Sequence, residues 1–288
     1  MAYNATYSIG GLGVTLTGGP TCRLATELPG MAPFGTEQPQ GDGITVRLDE
    51  QVSAAPVGRW LYRFNGVGGP TDGAFGVDAD GVCYFRWGCG LALRYDPRTP
   101  HMVAMGTSDD ASLVRFALWC AYTMAALPRG VVALHASAAV CRDRAVLCLG
   151  ESGTGKSTHT RLWVETFEGC RLLNDDSPLL RFDDGVLTAY GSPWSGKTPV
   201  YRPERVPVAA LLRIVQMPRN SMHRLGTVAA LAAVQPSCPP ALAHDERMMD
   251  TLLDFAGHMV LKVPVYRLEC RPDTEAARLS HDTIFPAL

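Results

Sequence analysis

The chain has 288 residues, of which 47% are apolar and 19% charged, with a formal net charge of −2. That length buries one large core or two modest ones, and with no basic excess nucleic acid is set aside as a partner. The longest apolar stretch, residues 116–127, is broken by Thr123 and stopped by Pro128-Arg129-Gly130, short of the roughly 20 residues of a membrane span.

Along the chain, the start Met1-Ala2-Tyr3-Asn4 lacks the charged and apolar regions of a secretion signal, so a cytoplasmic protein with no membrane partner is expected. Eighteen of the 29 glycines fall in the first 100 residues, between short alternating segments such as 44–48 and 82–87. That texture predicts a β-meander with tight turns, a smaller β-rich N-terminal domain over 1–105. Asp109-Asp110 are placed to cap a helix running to about Leu127, opening a second domain over 106–288. Two apolar strands, 132–140 and 145–149, joined by only four residues, predict an antiparallel hairpin. A glycine-rich loop follows at 150–157, then a helix to about Phe167 and the strand Arg171-Leu172-Leu173 running into Asn174-Asp175-Asp176. A second hairpin is predicted over 178–182 and 186–190 about the turn Asp183-Asp184-Gly185. Residues 216–240 read as irregular structure or a lid, followed by a helix over 245–260, a strand over 263–270 and a closing helix begun by Asp273. Hairpins on both sides of the loop and helix predict an α/β fold of α+β character, with a mixed or antiparallel sheet around the loop helix. The nine cysteines are odd in number and include no Cys-x-x-Cys pair, which argues against a metal knuckle or a disulfide framework.

Gly150-Glu151-Ser152-Gly153-Thr154-Gly155-Lys156-Ser157, with Thr158 next, carries the clearest chemistry. The glycines let the backbone N–H groups curl toward phosphate oxygens. Lys156 brings a mobile charge to the β/γ-phosphates, Ser157 is placed for Mg²⁺, and the following helix offers its positive end. A nucleotide triphosphate is therefore the expected ligand. Only three of the 26 basic residues are lysines: Lys156, Lys197 and Lys262. A lysine retained in an arginine-dominated chain points to specific geometry. Asp175-Asp176 end a short strand beside the loop, where phosphoryl transfer needs one carboxylate for the attacking hydroxyl and another for the metal; the same residues are also good turn formers. Residues 191–199 are rich in glycine and donors. Ser192, Trp194 and Lys197 there are candidates for a second phosphate or the acceptor, against the alternative of a packed loop. Arg202 and Arg205 either neutralise the transferred group or pair with Glu204. A strand histidine such as His135 is by itself ordinarily structural.

In the order Leu134-His135, hairpin, Gly150 to Ser157, and Leu173-Asn174-Asp175-Asp176, residues 110–288 resemble the HPr kinase/phosphorylase family. They also resemble the small HPr-kinase-like serine kinases, which share a core with ATP-dependent phosphoenolpyruvate carboxykinase. The resemblance implies an ATP- and Mg²⁺-dependent kinase. His135 then matches the active-site histidine, Lys156 and Ser157 the phosphate and metal contacts, Asp175 the proton acceptor, and Asp176 a metal ligand beside it. The acceptor implied is a serine-type hydroxyl on a peptide, protein or free amino acid, and a homo-oligomer is allowed. Two departures stand out. The family's glutamate-containing signature after the second hairpin is replaced by Thr188-Ala189-Tyr190-Gly191-Ser192-Pro193-Trp194, and its later arginine has Arg202, Arg205, Arg219 and Arg224 as alternatives. A nucleotide-binding regulator or assembly partner that has lost turnover and a carboxykinase-like enzyme are the rival readings.

Overall fold

The computed structural model describes residues 1–38, 41, 43–53, 57–65 and 72–286. The chain divides into two compact units, Met1–Val131 with Ala241–Thr251, and Val132–Pro240 with Leu252–Leu288. Composition placed the break at 105/106; by contacts the first unit runs further and keeps the helix that follows. Among the described residues two sheets and six α-helices give a mixed α/β architecture of α+β character.

The first unit holds β1 (Tyr3–Ile9), β2 (Leu12–Gly18), α1 (Pro20–Thr26), β3 (Ile44–Arg47), β4 (Arg59–Asn65), β5 (Asp72–Val77), β6 (Cys83–Arg86), β7 (Ala92–Tyr95), β8 (Met102–Met105) and α2 (Ala111–Ala126). Its sheet runs β1-β2-β3-β8-β7-β6-β5-β4. Gly10 and Gly11, both at positive φ, close the β1–β2 hairpin in two residues, the backbone that such a turn demands. From β4 to β8 the strands form the expected antiparallel meander, but β3 lies parallel to both β2 and β8. The sequence reading did not foresee α1, because its first N–H groups are met from a distance: the Asp49 carboxylate accepts from Gly19, Thr21 and Cys22. By contrast α2 is capped locally by Asp110, which accepts from Ser112 and Leu113. With the turn after it, α2 is long and apolar enough to cross a membrane by length and composition, yet most of it is buried inside this unit, as a core helix is.

The second unit begins in β9 (Val131–Ala133) and continues through β10 (Ala136–Cys141), β11 (Arg144–Leu149), α3 (Lys156–Thr166), β12 (Arg171–Asp176), β13 (Leu179–Asp183), β14 (Val186–Tyr190), β15 (Arg205–Gln216), β16 (Ser221–Arg224), α4 (Thr227–Val234), the end of α5 (Glu246–Lys262), β17 (Val265–Cys270) and α6 (Thr274–Ile284). Its sheet runs β12-β10-β11-β15-β14-β13-β9, with β17 on the far half of β15 and β16 on β17. Both expected hairpins form. Arg142 and Asp143 turn β10 into β11, and Asp184-Gly185 turn β13 into β14, all four at positive φ. The sheet is mixed, since β15 is parallel to β11 and β17 and antiparallel to β14.

Three expectations change. The strand over 132–140 breaks at Leu134-His135, because β9 pairs with β13 whereas β10 pairs with β11 and β12; the bend is pinned by Leu134 N–H on Pro178 O and His135 N–H on Ser237 O. Residues 216–240 are not irregular but contain β16 and α4. Cys141 and Cys170, at adjoining ends of β10 and β12, are joined as a disulfide with Cα atoms 4.5 Å apart, a pairing their separation of 29 residues concealed.

The loop helix α3 is locked to α6 by a polar knot in an apolar cluster around Trp163. Trp163 Nε1 donates to Ser280 Oγ at 2.9 Å, His159 Nε2 lies 2.9 Å from the same oxygen, and the carbonyls of Ala276 and Ala277, each 3.0 Å away, are the alternative acceptors of the Ser280 proton. With the Ser280 proton on either carbonyl, His159 is the donor and its Nε2 carries the hydrogen. Burial pushes its pKa down from 6.5 to about 4. The folded imidazole therefore stays neutral where the unfolded one takes up a proton. This contribution is fully present above pH 6.5 and is lost as pH falls toward 4, at up to about 1.4 kcal/mol per pH unit. Urea melts should show that decline below about pH 6.5, and His159→Gln should flatten it. Ser280→Ala, which strands both donors, should cost about 2–3 kcal/mol at neutral pH in the same melts.

Candidate functional site

The loop at 150–155 leaves the buried end of β11 at Leu149 and enters α3 at Lys156, with Gly155 as the helix N-cap. Gly153 and Gly155 sit at φ +82° and +99° with open space where a Cβ would project, so it is backbone conformation that calls for glycine there. At Gly150, φ +155°, a Cβ would collide with Thr154 Oγ1. Thr154 hydrogen-bonds the Glu151 carbonyl through its hydroxyl at 2.8 Å, closing the loop on itself. Ser157 is exposed at the helix start and Thr158 half-buried behind it.

Lys156 is nearly buried, and its ammonium donates to Gly150 O at 2.8 Å, Glu151 O at 3.1 Å and His135 Nε2 at 2.9 Å. Burial pulls its pKa below the ordinary lysine value, while Asp176, Glu151 and Asp175 pull it back up. An ammonium has no lone pair, so His135 Nε2 must be the acceptor and the ring proton sits on Nδ1. His135 Nδ1 lies 3.2 Å from Asp176 Oδ1. Thus Asp176, His135 and Lys156 form one chain from the end of β12 to the glycine-rich loop. It depends on the register that sets Ala136 opposite Asp176 and Ser137 opposite Asp175. Asp176 holds φ +139°, a backbone state that costs a side-chain-bearing residue about 1–3 kcal/mol.

That strain is braced by residues 191–198. Ser195 bridges to Asp176, the Gly196 N–H donates to the Asp175 carbonyl, the Ser195 hydroxyl lies 2.6 Å from the Thr198 carbonyl and 3.1 Å from that of Asp175, and a Cβ on Gly196 would lie 3.0 Å from the Asp175 oxygen. Fully buried Asn174 ties the other side, donating to the carbonyls of Ser192 and Trp194 and accepting from Ser177 N–H. Asp175 is 3% exposed, and its Oδ2 is buried with no hydrogen-bond partner among the described residues. A buried carboxylate oxygen without a donor costs free energy that an incoming hydroxyl removes.

Not every candidate joins this centre. Ser192 and Trp194 are buried, and the Ser192 hydroxyl is spent on Ser177 O, so both build the brace and neither presents a face for stacking. Lys197 is exposed. Arg202 lies 3.5 Å from Glu204, which also takes Arg171 at 3.0 Å; Arg171 is five residues from Asp176 on β12, about 16 Å away along the strand. Arg205 is raised in pKa by its hydrogen bond to Tyr190, whose hydroxyl donates to Asp183. The arginine that does reach the loop is one the sequence reading passed over. Arg213 Nη2 lies 3.0 Å from Glu151 Oε1, and three residues on Gln216 Nε2 donates to Gly153 O at 3.1 Å. A single charge inside the apolar run Leu211-Leu212-Arg213-Ile214-Val215 was the available signal.

No family model matches the chain, and no curated protein does. Among solved structures it is similar to the HPr(Ser) kinase/phosphatase from Coxiella burnetii, at 14% identity over 52% of this chain and 95% of that one, with a TM-score of 0.31. That is a weak likeness of fold.

The Asp176–His135–Lys156 chain makes a prediction that needs no ligand. In the ¹⁵N NMR spectrum at neutral pH, His135 should carry its proton on Nδ1 and accept at Nε2, and Asp176→Ala should abolish that single-tautomer signature while the fold persists.

Proposed function

We propose that this protein is an ATP- and Mg²⁺-dependent phosphotransferase acting on a serine-type hydroxyl of a peptide, protein or free amino acid. The reading rests on one observation above the others: Asp175, whose Oδ2 has no hydrogen-bond partner among the described residues, is felt at the loop lysine, which the His135–Asp176 pair holds. In this reading Asp175 accepts the proton of the attacking hydroxyl, and the Ser195–Gly196 brace keeps it at the strand end. Lys156 exchanges its loop carbonyls for phosphate oxygens and draws charge toward the loop. His135 steadies Lys156, with its tautomer fixed by Asp176.

The residues present fit the nucleotide and its metal. Gly153 and Gly155 leave open space where side chains would project, and Ser157 with Asp176 supplies oxygen donors of the kind Mg²⁺ takes. When bound, the metal would neutralise charge on the phosphate groups. Among the described residues no group of three His, Cys, Asp or Glu is placed to hold a metal. A Mg²⁺ ion that arrives with a triphosphate needs only one or two protein ligands and completes its shell with phosphate and water. The same sparse donor set favours a second reading, a nucleotide-binding regulator without turnover.

The readings separate on two variants. Lys156→Ala should weaken ATP binding, measured by calorimetry, at least tenfold. Asp175→Asn should leave ATP affinity within about threefold while lowering phosphoryl transfer, or slow ATP hydrolysis, by about 10² to 10⁴. Phosphate transfer undiminished in Asp175→Asn would defeat the kinase assignment, and tight ATP binding without turnover to any hydroxyl acceptor would favour the regulator.

A further inference from the structure

An anion-binding loop with a carboxylate at its second position contains a contradiction: Glu151 carries the charge that the loop is built to attract. The Glu151 side chain is 71% exposed, yet its backbone carbonyl holds both Thr154 and the Lys156 ammonium, so where Glu151 sits decides where Lys156 sits. Arg213 answers that charge. It stands on β15 in parallel register with Leu149, the residue before the loop, and its largely buried guanidinium meets Glu151 Oε1 at 3.0 Å through Nη2. Nη1 is buried with no acceptor among the described residues, so no second carboxylate neutralises the group. Gln216 on the same strand takes Gly153 O, which fastens the loop to β15 at a second point. Both charges are felt at Lys156, whose pKa Glu151 raises and Arg213 lowers.

We propose that Arg213 is a positioning residue for the nucleotide, cancelling the Glu151 carboxylate and fixing the second residue of the phosphate loop. The proposal rests on the reading of this loop as a nucleotide site and adds to it the side-chain pair that sets its affinity.

The test is a double-mutant cycle on the full chain, with ATP affinity measured by calorimetry at fixed Mg²⁺. Arg213→Gln should weaken binding about tenfold, Glu151→Gln alone should tighten it about two- to threefold, and the double variant should return to within about threefold of the original protein. Restoration is the readout that a merely structural arginine would not give. A double variant as weak as Arg213→Gln, or an Arg213→Gln protein with unchanged affinity, overturns the proposal. Should Arg213→Gln melt below the assay temperature, Glu151→Gln decides alone: tighter binding supports the pair, and unchanged or weaker binding overturns it. A protein that binds no ATP even before substitution overturns the underlying nucleotide reading, a result distinct from one that binds ATP but does not respond to this pair.

Discussion

Lys156 is 8% exposed, and its ammonium is met by two loop carbonyls and one imidazole nitrogen. A buried charge is costly unless every donor finds an acceptor, and each acceptor here requires something further of the fold. The carbonyls exist in the right place only because glycines at 153 and 155 let the loop curl. The imidazole accepts only because Asp176 holds the proton on its other nitrogen. Asp176 in turn keeps a disfavoured backbone conformation only because Ser195 and Gly196 hold the strand end from outside. One cation thus ties together a bend before β10, the loop after β11, the end of β12 and the connection after β14.

The strand that makes this arrangement rigid is β15. It is the longest in its sheet and changes partner along its length, pairing with β14 at its start, with β11 through its middle and with β17 at its end. The parallel β11 pairing brings Arg213 and Gln216 to the loop, while α6, after β17, returns to clamp α3 through Ser280. The helix that carries Lys156 is therefore held by its own sheet in front and by a hydrogen-bonded serine behind. The disulfide between Cys141 and Cys170 closes the other end of the β10–β12 pair, away from the carboxylates.

Local signals carried much of this into the sequence. Asp110 and Asp273 announced helix starts because a cap and the N–H groups it satisfies lie within three residues. Asp184-Gly185 announced a turn because the backbone state is confined to two residues. Wherever the partner is remote the reading failed. The cap of α1 comes from Asp49, the partner of Cys141 is Cys170, and the break at His135 reflects a change of neighbouring strand that apolar composition does not register. Trp194 and Ser192 looked available in a polar, glycine-rich segment but are buried and hydrogen-bonded to Asn174 and Ser177, which stand at the end of β12, remote from them in sequence.

The sequence by itself determined the glycine-rich loop, the helix that follows it, the hairpins on either side and the carboxylate pair, because each is written in residues a few positions apart whose backbone and charge chemistry is local. Only the tertiary structure decided that His135 joins Asp176 to Lys156, that Asp175 Oδ2 has no hydrogen-bond partner among the described residues, and that the arginine at the loop is Arg213 and not Arg202 or Arg205. Those are matters of strand order and register. Register fixes which side chains meet across a sheet, and it arises from the simultaneous burial of many residues that no short stretch of the chain specifies.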